Sequence, residues 1–200
     1  NNALQQIDEV NEKLKTITCL EKTFFLNQDQ IAKFGLQKTE FLVENPCEGS
    51  LHSGKLLQKL LEKSQSLGVE FLFGTEVLKI LEDENKVQII TQFFQIETQK
   101  LVIATNAFAN DLISEVDLIP VRGQILLTEP LENLQLKGTF HYDEGYIYFR
   151  NLGNRILLGG ARNQDFETEE TTALETTEFL QNYLENFLKE VILPNQEFEI

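Results

Sequence analysis

A chain of 200 residues suffices for one ordinary domain or a large piece of a two-domain protein, and its 42% hydrophobic content with 15 Phe supplies a real core, which excludes disorder. With 17 basic against 32 acidic residues the formal charge is −15, a field that repels phosphate backbones and argues against a nucleic-acid partner.

Leu4, Ile7, Val10, Leu14 and Ile17 recur at helical spacing over residues 3 to 17, with Asp8, Glu9, Glu12 and Lys13 facing out, so the chain should open on an amphipathic helix. TFFLN reads as a short strand, Asn27 as the cap of a helical turn through QDQIAKF, and Gly35 as its stop. TEFLVENP reads as another strand, closed by Pro46. After Ser53, the leucines 56, 57, 60, 61 and 67 form one apolar stripe and Gly68 ends the helix. VEFLF follows, a continuous apolar run of the kind found in buried strands. Three strand-like runs, separated by DEN and ETQ, then predict an antiparallel meander whose last member, LVIAT, is buried on both faces. Further strands are expected in VRGQILLTE, GTFHYD, GYIYFRN and RILLGGAR, joined by the turns DEG and NLGN. Leu174, Leu180, Tyr183, Leu184, Phe187, Leu188 and Val191 mark a final amphipathic helix stopped by Pro194. The expected class is mixed α/β, with a large antiparallel or mixed sheet and flanking helices plus a helix, strand, meander, strand segment.

Other features narrow the setting. Cys19 and Cys47 are the only thiols and have neither C-x-x-C nor Cys/His spacing, so no metal site or disulfide framework is expected and a reducing, cytoplasmic location fits. No apolar run approaches the ~18 residues of a membrane span. The chain opens on Asn-Asn and has no Met, which reads as a fragment of a longer protein.

The stretch LVIATNAFANDL carries the first hint of chemistry. Small residues at the end of a buried parallel strand let a ligand approach the backbone closely, as in dinucleotide-binding sheets. A tight strand-to-loop turn packed on its own helix is the competing reading. Tyr142, Tyr146 and Tyr148 alternate along strand-like runs, which equally suits core or sheet surface, and Arg150 and Arg162 equally suit an acidic protein's surface. His52, near a helix start, reads as structural or solvated. No G-x-G-x-x-G follows a strand anywhere.

GSLHSGKLLQKLLEKSQSLGVEFLFGTEVLKI, LVIATNAFANDL, IPVRGQILLTEP and GYIYFRNLGNRILLGGAR, in that order over residues 49 to 162, resemble the FAD-dependent oxidoreductases of the D-amino-acid oxidase, glycine oxidase and sarcosine oxidase group. The resemblance implies that residues 49–112 are part of an FAD-binding domain and that 1–48 and 113–200 form a substrate domain. It implies that the Val77 backbone contacts adenine and that Ala104, Thr105 and Asn106 lie near the adenosine-pyrophosphate end of FAD. Asn106 stands where the family usually has Gly; Asn tolerates left-handed backbone angles. Tyr146 matches a tyrosine that binds a substrate carboxylate, Arg162 falls at another pocket position, and His141 lines the same wall. A phenol and a guanidinium aimed at one cavity suit an anionic amino acid. Phe149 replaces the usual Pro, and Arg122 lies on a structural connection between domains. The implied activity is hydride transfer from the carbon next to nitrogen to the flavin, giving an imine that water hydrolyses, with no side-chain base required. The family's N-terminal phosphate-binding fingerprint and C-terminal closing segment are absent from these residues, so the fragment alone is expected to be inactive. Two other readings stay open: a non-catalytic binding or assembly module on the same scaffold, and a flavoprotein acting on a 2-hydroxy acid.

Overall fold

Helices and antiparallel strands alternate along the chain in the expected mixed α/β pattern, and the computed structural model describes residues 2–200. In order they are α1 (Asn2–Thr18), β1 (Phe25–Leu26), α2 (Asp29–Phe34), β2 (Val43–Glu44), α3 (Ser53–Ser66), β3 (Val77–Asp83), β4 (Lys86–Thr91), β5 (Gln95–Thr98), β6 (Gln124–Leu127), β7 (Thr139–Tyr142), β8 (Ile147–Leu152), β9 (Arg155–Gly160) and α4 (Glu178–Phe187). A π turn over Leu188–Ile192 prolongs α4. The chain divides into two compact units, one built from residues 1–50, 123–169 and 174–200, the other from 51–122 and 170–173.

The first unit is organised by a four-stranded antiparallel sheet in the order β6-β9-β8-β7. Side chains alternate across a strand, so one face of the sheet takes Leu126, Ile147, Phe149, Ile156 and Leu158, all buried. Leu180 and Leu184 of α4, with Leu188, Val191 and Ile192 just beyond it, complete that core. Each fully buried leucine contributes about 1.5–3 kcal/mol over leaving it in water. Phe149 is buried at 4% exposure and stacks on Phe140 with ring centroids 4.9 Å apart. Phe34 closes this edge, meeting Phe140 edge-on at 5.3 Å.

Asn11 decides how α1 is held. It is buried in mid-helix, where its Oδ1 accepts from Thr23 N–H (2.9 Å) and Phe24 N–H (2.8 Å) while its Nδ2 donates to Phe24 O (2.7 Å). Val10 and Ile17, expected on the apolar stripe, lie off that face and are exposed. The strand expected in TFFLN and that in TEFLVENP reduce to the two-residue pair β1-β2. Gly35 ends α2 in the left-handed conformation, as expected, but Gln28 rather than Asn27 occupies the cap position. The last helix starts at Glu178, and Leu174 lies outside it, exposed.

In the second unit α3 is capped by His52, whose Nδ1 accepts from Lys55 N–H at 3.3 Å. The leucine stripe of α3 is largely exposed, at Leu57 and Leu60 above all. The meander is present as β3-β4-β5, but its third strand is Gln95–Thr98 and not LVIAT. The long run after Asn85 breaks at Thr91, whose hydroxyl accepts from Phe93 and Phe94 N–H and donates to Phe94 O. That local turn competes successfully with a continued strand.

Two expectations therefore fail. VEFLF and LVIAT are neither strands nor buried: Phe73 is 74% exposed and Val102 87%. A central strand needs ladder partners at its edges as well as layers over its faces, and neither segment joins a sheet among the described residues.

Candidate functional site

The face of the four-stranded sheet opposite the core carries two register rows. Ile125, Gly159, Tyr148 and His141 form one, and Leu127, Leu157, Arg150 and Thr139 the next. An antiparallel sheet tolerates this arrangement, with one face dry and the other open. Ile125 is half exposed, and the Tyr148 ring lies across Gly159, where a Cβ would come within 2.8 Å of Tyr148 Cε2 and 2.7 Å of Ile125 Cγ2. Glycine in a central strand sacrifices packing and here lets a ring cross the backbone. Burial pushes the Tyr148 phenol above its usual range, and its hydroxyl has no hydrogen-bond partner among the described residues.

At the end of this face, two turns bring Tyr146 and Arg162 together. Asp143, Glu144 and Gly145 turn with φ of 52°, 57° and 93°, and Tyr146 follows them directly before β8. β9 ends in Gly160 (φ 103°) and Ala161 (φ 62°), which redirect the chain into Arg162. A non-glycine residue in the left-handed region costs about 1–2 kcal/mol. The turns are pinned by Ala161 N–H donating to Tyr146 O at 2.7 Å and by Asn163 Nδ2 donating to Asp143 Oδ2 at 2.9 Å. A Cβ on Gly160 would fall 1.9 Å from Tyr146 O, so only glycine permits this approach.

Phe166 links the pair. The Tyr146 ring meets it edge-on at 6.1 Å, and the Arg162 guanidinium lies 5.5 Å from its centroid, within cation–π range. Tyr146 remains 36% exposed. His141 is exposed and pairs across the ladder with Tyr148; no hydrogen bond, ion pair or ring contact joins it to Tyr146 or Arg162 among the described residues. Sequence reasoning passed over Phe166, which sits in an irregular acidic stretch with no periodic signal. Tyr148 reads with Tyr142 and Tyr146 as core or sheet surface and not as a site residue, although the spacing Tyr146, Tyr148, Arg150 puts all three on one side of a strand.

The residues expected near a nucleotide lie in the second unit. Val77 opens β3 opposite Thr91, beside a register shift before Lys79. Ala104, Thr105 and Asn106 are exposed, and Asn106 is left-handed (φ 49°), a conformation that asparagine tolerates better than most residues. Thr105 O accepts from Phe108 N–H as the chain enters a 3-10 turn over Asn106–Asp111. These small side chains are exposed, but the buried strand expected to end in them is not formed, and no glycine-rich phosphate cradle occurs in these residues.

Comparisons with known proteins bear on the whole chain. The family model described as FAD dependent oxidoreductase matches residues 5–198. A D-amino acid dehydrogenase of Vibrio atlanticus (strain LGP32) is 31% identical over 108 residues, covering 50% of this chain and 26% of that protein. A D-amino acid dehydrogenase of Bradyrhizobium diazoefficiens is 28% identical over 110 residues, covering 52% of this chain and 26% of that protein. The chain thus spans about a quarter of the length of these relatives. Among solved structures, the open form of NikD, an unusual amino acid oxidase essential for nikkomycin biosynthesis, matches with a TM-score of 0.66 at 15% identity, over 93% of this chain and 52% of that one. At that identity the likeness is one of fold. With the family model spanning nearly every residue described, the chain belongs to the FAD-dependent oxidoreductase family.

Proposed function

We propose that this chain is part of an FAD-dependent enzyme that oxidises amino acids or related secondary amines, and that the Tyr146–Phe166–Arg162 cluster is the wall that receives the substrate carboxylate. The observation that carries this reading is the sharing of one ring, Phe166, by a phenol and a guanidinium at the mouth of two left-handed turns. Arg162 presents a planar fork to a carboxylate, Phe166 holds the fork's plane and shields one side from water, and the Tyr146 hydroxyl donates the second hydrogen bond. Tyr148 and His141 extend the wall along the first register row. In this reading residues 1–48 and 113–200 form the substrate domain and 49–112 part of the FAD domain. The Val77 backbone and Ala104, Thr105 and Asn106 hold the adenosine end of FAD. Bound FAD supplies the two-electron acceptor for the hydride leaving the carbon next to nitrogen. The relatives' names, D-amino acid dehydrogenase, support an amino-acid substrate class.

The test is the visible spectrum of the purified full-length protein with FAD, titrated with D-amino acids, L-amino acids, N-methyl amino acids and 2-hydroxy acids. Bleaching of the flavin band by one amine series is the expected result. Bleaching by 2-hydroxy acids alone would replace the substrate class, and no flavin binding would end the reading. For the wall itself, Tyr146→Phe and Arg162→Ala should each raise KM about tenfold or more, the worth of a hydrogen bond to a charged group; unchanged KM in both removes them from the site.

A further inference from the structure

One side-chain hydrogen bond joins the two left-handed turns that carry Tyr146 and Arg162. Asn163 Nδ2 donates to Asp143 Oδ2 at 2.9 Å. The orientation of the amide is dictated by chemistry, because a carboxylate only accepts. That orientation leaves Asn163 Oδ1 buried with no partner among the described residues. Native proteins leave few buried polar atoms unpaired, and backbone strain persists only where the surroundings over-determine it. Here both costs coincide on residues adjoining one cluster: left-handed Asp143 and Glu144 on one side, left-handed Ala161 and the orphaned Asn163 oxygen on the other.

Each partner is rigidly coupled to a cluster residue. Tyr146 N–H donates to Asp143 O at 2.9 Å, so the phenol's backbone follows Asp143. Asn163 directly follows Arg162 in the short turn Arg162–Gln164, which Gln164 N–H to Ala161 O and Asp165 N–H to Arg162 O close. The backbone bond from Ala161 to Tyr146 fixes where the turns meet, and the Asp143–Asn163 bond fixes the angle between their tips. We propose that Asp143 and Asn163 are positioning residues that set the spacing of Tyr146 and Arg162 over Phe166, and thereby the geometry of carboxylate binding; this rests on the function proposed above. The bond is solvent-exposed, so it adds little to stability, which separates a positioning role from a structural one.

The experiment uses the full-length protein with FAD and the amino acid that bleaches the flavin most efficiently. Asp143→Ala and Asn163→Ala should each raise KM about tenfold, since small misplacements of binding groups are amplified in this way. kcat should stay within about twofold and the melting temperature within a few degrees. Asp143→Asn keeps an acceptor for the Asn163 amide and should restore KM to within about twofold of the parent. Adding Asp143→Ala to Tyr146→Phe should raise KM by much less than it does alone, the sign of a shared pathway. An unchanged KM in both alanine variants overturns the positioning role. So does an Asp143→Asn variant as impaired as Asp143→Ala, or a loss of folding in both alanine variants, which assigns the pair a structural role. If Tyr146→Phe and Arg162→Ala are silent, the proposed carboxylate wall falls and the positioning role with it. If those two raise KM while Asp143→Ala does not, only the positioning role falls.

Discussion

Replacing Gly160 with alanine places a methyl group 1.9 Å from Tyr146 O, 2.9 Å from Tyr146 C and 3.2 Å from Ile147 Cα, all backbone atoms of the neighbouring strand. None of these is the end of a flexible side chain, so the strands must part. Two terms set the magnitude. The backbone at φ 103° is unfavourable for an L side chain, at about 1–2 kcal/mol. Parting the strands breaks the Ala161 N–H to Tyr146 O bond of 2.7 Å, and leaving these groups unpaired costs about 1–3 kcal/mol. Together they give about 2–5 kcal/mol, a large share of the roughly 5–15 kcal/mol that holds a typical domain folded. Urea unfolding followed by circular dichroism measures this as a lower midpoint at unchanged slope. Gly153→Ala is the control: it too has positive φ (62°), but nothing lies within 4 Å of its added Cβ, so only the conformational cost of about 1–2 kcal/mol applies. The reasoning is refuted if Gly160→Ala is no more damaging than Gly153→Ala.

Three further outcomes are expected. Asn11→Ala strips Thr23 N–H, Phe24 N–H and Phe24 O of their side-chain partner, which should cost about 2–4 kcal/mol in the same urea assay; a loss under ~0.5 kcal/mol would show that water replaces the asparagine. Gln124 donates to buried Glu169 and accepts from Thr177 N–H, so Gln124→Ala should destabilise by about 1–3 kcal/mol. Gln124→Glu should be worse, because it sets a second carboxylate beside Glu169; the opposite order in thermal melts would contradict that. Burial raises the Tyr148 phenol above its unfolded value, so the folded state keeps this proton longer than the unfolded chain does. Its contribution to stability is then complete below pH ~10 and is lost as pH rises from there through the folded value. Tyr148→Phe should flatten the alkaline fall in melting temperature, and an identical fall in both proteins would remove Tyr148 as its source.

Much of the first unit was readable residue by residue. Its four sheet strands coincide with the expected runs because Leu126, Ile147, Phe149, Ile156 and Leu158 alternate with surface residues at period two. The leucines of α3 had an equally strong pattern, yet pattern reports only which face is apolar, not whether anything covers it. VEFLF and LVIAT failed for the related reason that a strand exists only through its partners, and hydropathy does not name them. At the candidate site, Tyr146 and Arg162 came from the ordered resemblance and not from periodicity, while Phe166 and the Asp143–Asn163 bond left no mark in the sequence at all.

What the amino-acid order determined alone was local: helix faces, strand alternation, the glycine stop at Gly35 and the small residues at 104–106. The tertiary structure decided which strands pair, that Gly160 is obligatory beneath Tyr146, and that one phenylalanine joins a tyrosine to an arginine sixteen positions away. Local preferences act over a few bonds and are written in neighbouring residues. Proximity between distant residues arises only when burial of the whole core selects one register and one set of turns, and no short stretch of sequence encodes that choice.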